Sequence, residues 1–237
     1  MIYVTGDTHI PIDVHKLRNQ FFNPPGATKE NTYLIICGDF GAVWNYKGED
    51  KEEKYWLDWL EDKPYTVLFV DGNHECHPRL NEYDVEEWNG GKVHKIRPHV
   101  IHLMRGQVFT IDGKKIFTMG GAASHDRKYR KEGISWWEEE IPSRDEFDEA
   151  IKNLETNNYE VDYVITHCMP DIIQCMLFPW YECDKLTNFL YVIDKDIKYK
   201  RWYSGHYHIN GDMDQKHTIL YDAIIELGLS YCESIIK

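Results

Sequence analysis

Short apolar runs that end in glycine and polar residues constrain the fold of this chain more than any other feature. Each run is rich in β-branched residues and stops at or near a turn, which predicts a strand. The predicted strands are Ile2–Thr5, Tyr33–Cys37, Thr66–Val70 and 161–166.

Amphipathic segments separate these strands. Lys51–Glu61 and Arg144–Thr156 carry apolar residues at helical spacing. Ser143 precedes the second segment, and Glu146 follows three residues later in a capping-box pattern. Strand and helix in alternation predict parallel strand pairing and an α/β core.

The middle and the end of the chain predict further strands. Residues 108–111 and Lys114–Met119 flank Asp112-Gly113, a dipeptide that favours a two-residue hairpin turn. Residues 202–227 predict additional strands, so we expect two packed sheets, both flanked by helices. The segment 120–142 lacks periodicity and is interpreted as a functional loop. With 237 residues, the chain is expected to form one domain over residues 1–237.

Composition excludes several function classes. No apolar run approaches the ~18 residues of a membrane-spanning helix, and the N-terminus reads as a first strand rather than a signal peptide. None of the six cysteines forms a C-x-x-C pair, which indicates reduced thiols and a cytoplasmic location. The net charge of −13 disfavours extended nucleic-acid binding. The acidic run 49–53 is interpreted as a solvated helix start.

Five polar motifs follow the predicted strand ends. Ligands of open α/β sheets bind at the carboxyl ends of the strands, where the loops converge. The motifs are Gly6-Asp7-Thr8-His9, Gly38-Asp39, Gly72-Asn73-His74-Glu75, His167 and Gly205-His206-Tyr207-His208.

These motifs offer a metal ion only oxygen and nitrogen ligands. Such a mixed set suits Mn²⁺, Fe, Zn²⁺ or Co²⁺ and disfavours iron–sulfur chemistry. The set is too large for one tetrahedral ion and fits two ions that share a carboxylate. Its members are Asp7, His9, Asp39, Asn73, His167, His206 and His208.

The order of the motifs resembles the calcineurin-like metallophosphoesterase superfamily, whose pattern is D-x-H, G-D, G-N-H-[DE], H and G-H-x-H. The resemblance covers Asp7 to His208, most of the chain. It implies a four-layer αββα sandwich of two mixed sheets, which agrees with the two-sheet prediction above. It also implies a phosphoesterase that uses two divalent metal ions, with Mn²⁺ as the first choice.

The resemblance assigns roles to individual residues. Asp7, His9 and His208 would hold one ion, Asn73, His167 and His206 the other, with Asp39 as the bridge. A water between the ions would become the attacking hydroxide. His74 would not be a ligand. It would stabilise the transition state or protonate the leaving alkoxide.

The last motif raises a question of local geometry. His206 and His208 are alternate residues, and alternate residues of an extended segment share one side. We therefore expect both rings to face the centre from an extended segment, with one ring on each ion.

Substrate contacts are expected from residues near this centre. Arg127 and Arg130 of the 120–142 loop could bind a phosphate oxygen, and His125 of the same loop is a further candidate. Trp136 or Trp137 could stack on a base or ring, and Trp44 could form a pocket wall. The alternative makes Arg127 a surface ion-pair partner and places at least one of Trp136 and Trp137 in the core. The other histidines are interpreted as surface residues or as supports for ligands: His15, His77, His94, His99, His102 and His217.

Several functions stay open at this stage. The expected substrate is a phosphodiester or a small-molecule or nucleotide phosphate. A protein serine/threonine phosphatase is an alternative, but Ala42 and Val43 replace the aspartate and arginine of that class. A nuclease would need a basic groove, and a non-catalytic metal-binding scaffold would tend to lose His74 or several ligands.

Overall fold

The computed structural model describes residues 1–236, which form two mixed β-sheets. In spatial order, the seven-stranded sheet contains β13 (Ile224–Glu226), β1 (Ile2–Thr5), β2 (Tyr33–Cys37), β3 (Thr66–Val70), β6 (Val100–Leu103), β5 (Gly91–Arg97) and β4 (Val85–Trp88). The six-stranded sheet contains β11 (Gly211–Asp212), β12 (His217–Ile219), β10 (Arg201–Ser204), β9 (Tyr163–Thr166), β8 (Lys114–Met119) and β7 (Gln107–Ile111).

Both sheets have a parallel centre and antiparallel edges. β1, β2, β3 and β6 run parallel in the first sheet, and β12, β10, β9 and β8 run parallel in the second. The carboxyl ends of the central strands therefore meet at one edge of each sheet, which confirms the predicted α/β core.

Helices cover the outer faces of the two sheets. α1 packs on the first sheet, and α3, α4 and α5 pack on the second. A third apolar cluster fills the space between the sheets, so the predicted αββα sandwich is confirmed. The helices of residues 1–236 are α1 (Lys51–Glu61), α2 (His77–Leu80), α3 (Arg144–Thr156), α4 (Asp171–Leu177), α5 (Lys185–Asp196) and α6 (Tyr231–Ile236).

Strand β2 shows how the sequence builds two layers at once. Leu34 and Ile36 face the helix side, whereas Ile35 and Cys37 face the second sheet. Successive side chains of a strand point to opposite faces. Because both faces are covered, the strand is a continuous apolar run rather than an alternating one.

The predicted helices α1 and α3 have the expected bounds. Ser143 and Glu146 form the capping box at the start of α3, and Asp50 caps α1. The interpretation of the acidic run as solvated is wrong for Glu53. Its side chain is buried, and hydrogen bonds from two backbone amides and from Arg79 compensate the buried carboxylate.

The remaining predictions differ from the structure only at their edges. β9 begins at Tyr163 rather than at residue 161, and β7 begins one residue before its predicted start. The 120–142 loop is largely irregular, with short 3₁₀ turns at Arg127–Tyr129 and Glu138–Glu140. None of the helices within residues 1–236 has the length and apolar character needed to cross a membrane.

Several histidines away from the motifs lie in the interior. His77, His94, His102 and His217 are buried, so they are not surface residues. His102 lies 3.2 Å and His77 3.9 Å from carboxylate oxygens of Asp71. These two rings therefore support the turn that follows β3.

Candidate metal centre

The five motifs lie just past the carboxyl ends of β1, β2, β3, β9 and β10. The first three strands belong to one sheet and the last two to the other. The structure brings all the predicted ligands together where these two edges meet.

A first group of ligand atoms surrounds Asp7. Its Oδ2 lies 3.1 Å from His208 Nε2. The ligand atoms of Asp7, His9 and His208 all lie within 4.8 Å of one another. Side chains from both sheets therefore share this group.

A second group surrounds His167 Nε2. Asn73 Oδ1, His206 Nδ1 and Asp39 Oδ1 each lie 3.3 Å from this nitrogen. Ligand atoms of one ion with bonds of about 2.0–2.2 Å are separated by about 3.0–3.4 Å. Each of these three distances to His167 Nε2 lies in that range. His167 Nδ1 donates to Cys37 O at 2.7 Å, which turns Nε2 toward the group.

Asp39 lies between the two groups. Its Oδ2 is 3.1 Å from His9 Nε2, and its Oδ1 is 3.3 Å from His167 Nε2. Each carboxylate oxygen therefore faces a different group, which is the arrangement that a bridging ligand needs.

The centre also contains an acceptor without a donor. Asp7 Oδ2 is buried and accepts no hydrogen bond of suitable geometry, although His208 Nε2 lies 3.1 Å away, whereas Asp7 Oδ1 accepts from the His206 amide at 2.9 Å. A buried carboxylate oxygen left unpaired is costly, and a cation satisfies it. The residues present therefore fit a metal ion.

Two glycines let the backbone come close to these side chains. A Cβ at Gly38 would lie 2.2 Å from His167 Nδ1, and a Cβ at Gly205 would lie 2.1 Å from Asp7 Oδ1. Any larger residue at either position would displace a predicted ligand.

Four predicted ligands have left-handed backbone conformations. The φ angles are +33° for His9, +46° for Asp39, +70° for His206 and +51° for His208. For His206 and His208 this shows that the expected extended segment is wrong. Residues 206–208 form a bend after β10, so the left-handed backbone, and not strand alternation, directs both rings inward.

Proton affinities at the centre reflect the buried carboxylates. Burial opposes protonation of His9 and His167, but Asp39 and Asp7 outweigh it and raise the pKa of His9 to about 9 and of His167 to about 10. Burial also acts against ionisation of Asp39, yet the nearby histidines hold its pKa well below the ordinary value. Without a metal, protons on imidazoles neutralise the carboxylates, and a cation would take over that role.

His74 lies beside the centre with a neutral ring. Arg130 Nη2 lies 2.8 Å from His74 Nε2, and an arginine can only donate, so Nε2 carries no proton in this arrangement. Burial, together with the charge of Arg130, lowers the pKa of His74. Trp44 stacks on the same ring with centroids 5.8 Å apart. The His74 amide donates to Asp39 Oδ1 at 2.8 Å, which ties this loop to the bridge.

The other predicted substrate contacts lie at the rim. His125 Nε2 is 3.3 Å from His206 Nε2, so this ring borders the second group. Arg127 instead pairs with buried Glu140 and lies over Trp136. Arg127 is therefore an ion-pair partner, as the alternative expected, but its carboxylate partner is buried rather than at the surface. Trp137 is buried, as the alternative for the tryptophan pair expected.

Sequence reasoning missed three supporting residues. Asp13 accepts from His9 Nδ1 at 2.8 Å, and the buried Lys16 donates to the Asp7 carbonyl at 2.6 Å. Glu75 accepts from the Phe40 and Gly72 amides at 2.5 and 2.7 Å. Only Glu75 had a signal, because it ends the G-N-H-E motif. Lys16 had none, since a lone lysine after a short apolar segment normally lies in solvent.

Two comparisons with known proteins bear on this site. The family model described as calcineurin-like phosphoesterase matches residues 1–210, which include every predicted ligand. A search of curated proteins gave no match.

Proposed function

The chain belongs to the calcineurin-like phosphoesterase family, and from this premise we propose that it is a dinuclear-metal-dependent phosphoesterase that acts on a small substrate. The substrate would be a phosphodiester or a nucleotide or other small-molecule phosphate. Family membership supports metal-dependent hydrolysis of phosphoesters in general, and the site residues support the finer assignment.

The orientation of Asp39 carries this proposal. One of its carboxylate oxygens faces His9 and the other faces His167, at 3.1 and 3.3 Å. A carboxylate that only stabilised the fold would have no reason to place one oxygen against each of two groups of oxygen and nitrogen ligand atoms.

The proposed ligand sets follow the two groups of atoms. Asp7, His9 and His208 would hold one ion, and the ligands around His167 would hold the other, with Asp39 shared. When bound, two divalent ions supply Lewis-acid charge to the phosphoryl oxygens and lower the pKa of a coordinated water. Mn²⁺ is our first choice, and Fe, Zn²⁺ and Co²⁺ are alternatives.

We assign the proton-transfer step to His74. In the structure its Nε2 accepts from Arg130 at 2.8 Å. To stabilise the phosphoryl group or protonate a leaving alkoxide, the ring must take up a proton. Its contact with Arg130 must then be replaced by a contact with the substrate. Arg130 would then be free to donate to a phosphoryl oxygen, and Trp44 would hold the ring in place.

The surroundings of Asp39 favour a small substrate over a phosphoprotein. Ala42 and Val43 are both buried in the apolar cluster under the first sheet. These positions therefore offer no polar side chain to orient His74 or bind phosphate, unlike the pattern of protein serine/threonine phosphatases. A cytoplasmic location is part of the proposal and rests on the sequence argument alone.

The test is hydrolysis of model esters by protein loaded with Mn²⁺. Bis-4-nitrophenyl phosphate reports diesterase activity, and 4-nitrophenyl phosphate reports monoesterase activity. We expect turnover of at least one ester that disappears with a chelator and returns with Mn²⁺. Asp39→Asn preserves shape but removes the bridging charge, so it should abolish this activity. Absence of turnover with every divalent ion tried would favour the scaffold alternative.

A further inference from the structure

An open cleft borders the proposed metal centre. It has a volume of about 1260 Å³ and lies between the 120–142 loop and the segment 180–185. His125 lines the cleft, and its Nε2 is 3.3 Å from His206 Nε2. A group esterified to a phosphate at the centre could therefore extend directly into this cleft.

A stack of aromatic rings supports one wall, and two of its members, His125 and Tyr181, line the cleft. Buried Tyr207, the middle residue of the G-H-x-H motif, stacks on Phe178 at 4.9 Å, and Phe178 stacks on Tyr181 at 5.2 Å. Tyr181 in turn stacks on His125 at 3.5 Å. The stack fixes the wall relative to the metal centre.

Trp180 stands outside this stack. It lines the cleft and is 73 % exposed, and its contacts with Phe178 and Tyr181 are edge contacts. One large face of the indole is therefore free to stack on a planar group. A single exposed aromatic residue is common, but this one lies on a cleft that opens at the site.

The charge of the cleft restricts what can enter. Two basic and five acidic residues line it. Arg127 is already paired with Glu140 and Asp184 caps α5, so Lys185 is the one basic side chain set against four exposed carboxylates. The exposed carboxylates that remain are Glu132, Glu138, Glu139 and Glu182. They accept hydrogen bonds from N–H donors and repel phosphate groups.

We propose that this cleft binds an amino-bearing nucleobase of a substrate that carries no phosphate beyond the scissile one. The base stacks on Trp180, and its exocyclic amine donates to the acidic rim. The inference rests on the proposed phosphoesterase function and names the substrate class of that site. Nucleotides with additional phosphates and oligonucleotides are excluded by the same acidic rim.

Three esters with one leaving group test the proposal. They are adenosine 5′-(4-nitrophenyl phosphate), the same ester with a 3′-phosphate, and methyl 4-nitrophenyl phosphate. We expect kcat/KM for the adenosine ester to exceed that of the methyl ester by about tenfold or more, the factor that corresponds to about 1.4 kcal/mol and to the lower range of base stacking on an aromatic residue. The 3′-phosphate should remove this advantage.

Variants test whether Trp180 causes the preference for the adenosine ester over the methyl ester. Trp180→Ala should lower the ratio of kcat/KM between the adenosine and methyl esters about tenfold, and Trp180→Phe should restore most of it. Tyr55→Ala removes another exposed aromatic residue, which lies on α1 and does not line the cleft, and should leave the ratio unchanged. An unchanged ratio in Trp180→Ala would overturn the proposal, while turnover of both esters would leave the phosphoesterase assignment standing.

Binding of adenosine itself gives a readout that needs no turnover. Saturation-transfer NMR should detect contact between the adenine protons and the protein, and Trp180→Ala should remove it. If neither these diesters nor the monoester 4-nitrophenyl phosphate is hydrolysed, the proposed function fails, and this measurement still decides whether the cleft binds adenosine. Equal saturation transfer in wild type and variant contradicts the proposal.

Discussion

At the scale of single residues, the predicted ligands hold a backbone conformation that most side chains avoid. His9, Asp39, His206 and His208 all have left-handed φ angles. Each such conformation costs about 1–3 kcal/mol and persists only where surrounding structure enforces it. Their concentration at one point supports a functional site, because unrelated turns would scatter such residues along the chain.

His74 provides the most direct test at this scale. His74→Ala should lower kcat by about 10²–10⁴-fold, the usual contribution of a general acid or base. Metal content should stay at the wild-type level, because His74 is not among the proposed ligands. Steady-state kinetics and elemental analysis measure both. His15→Ala removes an exposed histidine and serves as the control. A His74→Ala protein that turns over at the wild-type rate would refute the role.

Arg130 should act on both substrate binding and the pKa of His74. Arg130→Gln removes a donor that we assign to a phosphoryl oxygen, so KM should rise roughly tenfold or more. Burial lowers the pKa of His74, and the charge of Arg130 lowers it further. Without that charge the pKa of His74 should rise. In the pH–rate profile, the limb on which activity falls with increasing pH should therefore move to higher pH.

A pH–rate profile of the Arg130→Gln protein checks this shift. Arg144→Gln changes an arginine whose side chain is 91 % exposed on α3 and is the matched control. If KM rises but the pH–rate profile does not shift, Arg130 contacts the substrate without affecting the pKa of His74.

The two histidines of the G-H-x-H motif should affect different ions. His208→Ala removes a ligand atom near Asp7, and His206→Ala removes one near His167. Each variant should weaken one Mn²⁺ site by more than the 10–100-fold typical of a lost supporting residue. Calorimetric titration with Mn²⁺ should show one strong site in either variant. Equal weakening of both sites by His208→Ala would contradict the assignment.

At the scale of elements, α1 and α2 together hold the turn that carries Trp44. The Glu53 carboxylate in the first turn of α1 accepts from the Trp44 amide at 2.7 Å. Arg79 of α2 donates to Glu53 at 2.7 Å and to the Asn45 carbonyl at 2.6 Å. This buried ion pair therefore fixes the residue that stacks on His74.

Loss of Arg79 should consequently be costly. Arg79→Met leaves Glu53 as an unpaired buried charge, so the free energy of unfolding should fall by about 3–5 kcal/mol. Urea denaturation measures this change. Lys54→Met breaks an exposed pair with Asp58 on the same helix and should change stability by about 0–1 kcal/mol. Equal losses of unfolding free energy in the two variants would show that the buried pair between Arg79 and Glu53 stabilises the fold no more than an exposed pair does.

The elements were largely predictable because their signals are local. A capping box and apolar spacing lie within a few residues of each other, so α1 and α3 could be bounded from the sequence. The conformation of the G-H-x-H segment could not be predicted in this way. The left-handed conformations at His206 and His208 are imposed by contacts such as that between the His206 amide and Asp7.

At the scale of the whole molecule, each proposed ion depends on both sheets. Asp7 and His9 follow a strand of the first sheet, and His208 follows one of the second. Around the other ion, Asn73 follows a strand of the first sheet and His167 follows a strand of the second. The centre therefore connects the two halves of the sandwich, and its charge state should influence global stability.

Stability of the metal-free protein should depend on pH through these histidines. The pKa of His9 is raised to about 9 and that of His167 to about 10, above the unfolded value near 6.5. The native state then binds more protons than the unfolded state, so this stability is complete below about pH 6.5 and is lost as pH rises through about 9 to 10. The loss is about 1.4 kcal/mol per pH unit for each proton.

Urea denaturation with a chelator between pH 6.5 and 8 measures this effect. Lys16 has a pKa lowered by burial to about 8 and contributes in the opposite sense above that range. Glu75 has a pKa raised by burial to about 8 and contributes in the same sense as the histidines within it. His9→Asn should have a shallower dependence than wild type. Protein loaded with Mn²⁺ should show a shallower decline in this range, because the cation replaces the protons on the histidines. A chelated wild type and His9→Asn with identical slopes would contradict the prediction.

The sequence by itself determined the elements and the chemistry of the ligands. Asp7, Asp39, Asn73 and the histidines could be selected because each stands at the end of an apolar run and carries an oxygen or nitrogen donor. Both properties are readable over a few residues. The α/β class followed from the alternation of those runs with amphipathic segments.

Only the tertiary structure decided how these residues act together. The contact between Arg130 and His74 and the cleft beside His125 join segments that are tens of residues apart in the chain. Such contacts depend on how two twisted sheets pack, and the local pattern of a chain does not encode that packing.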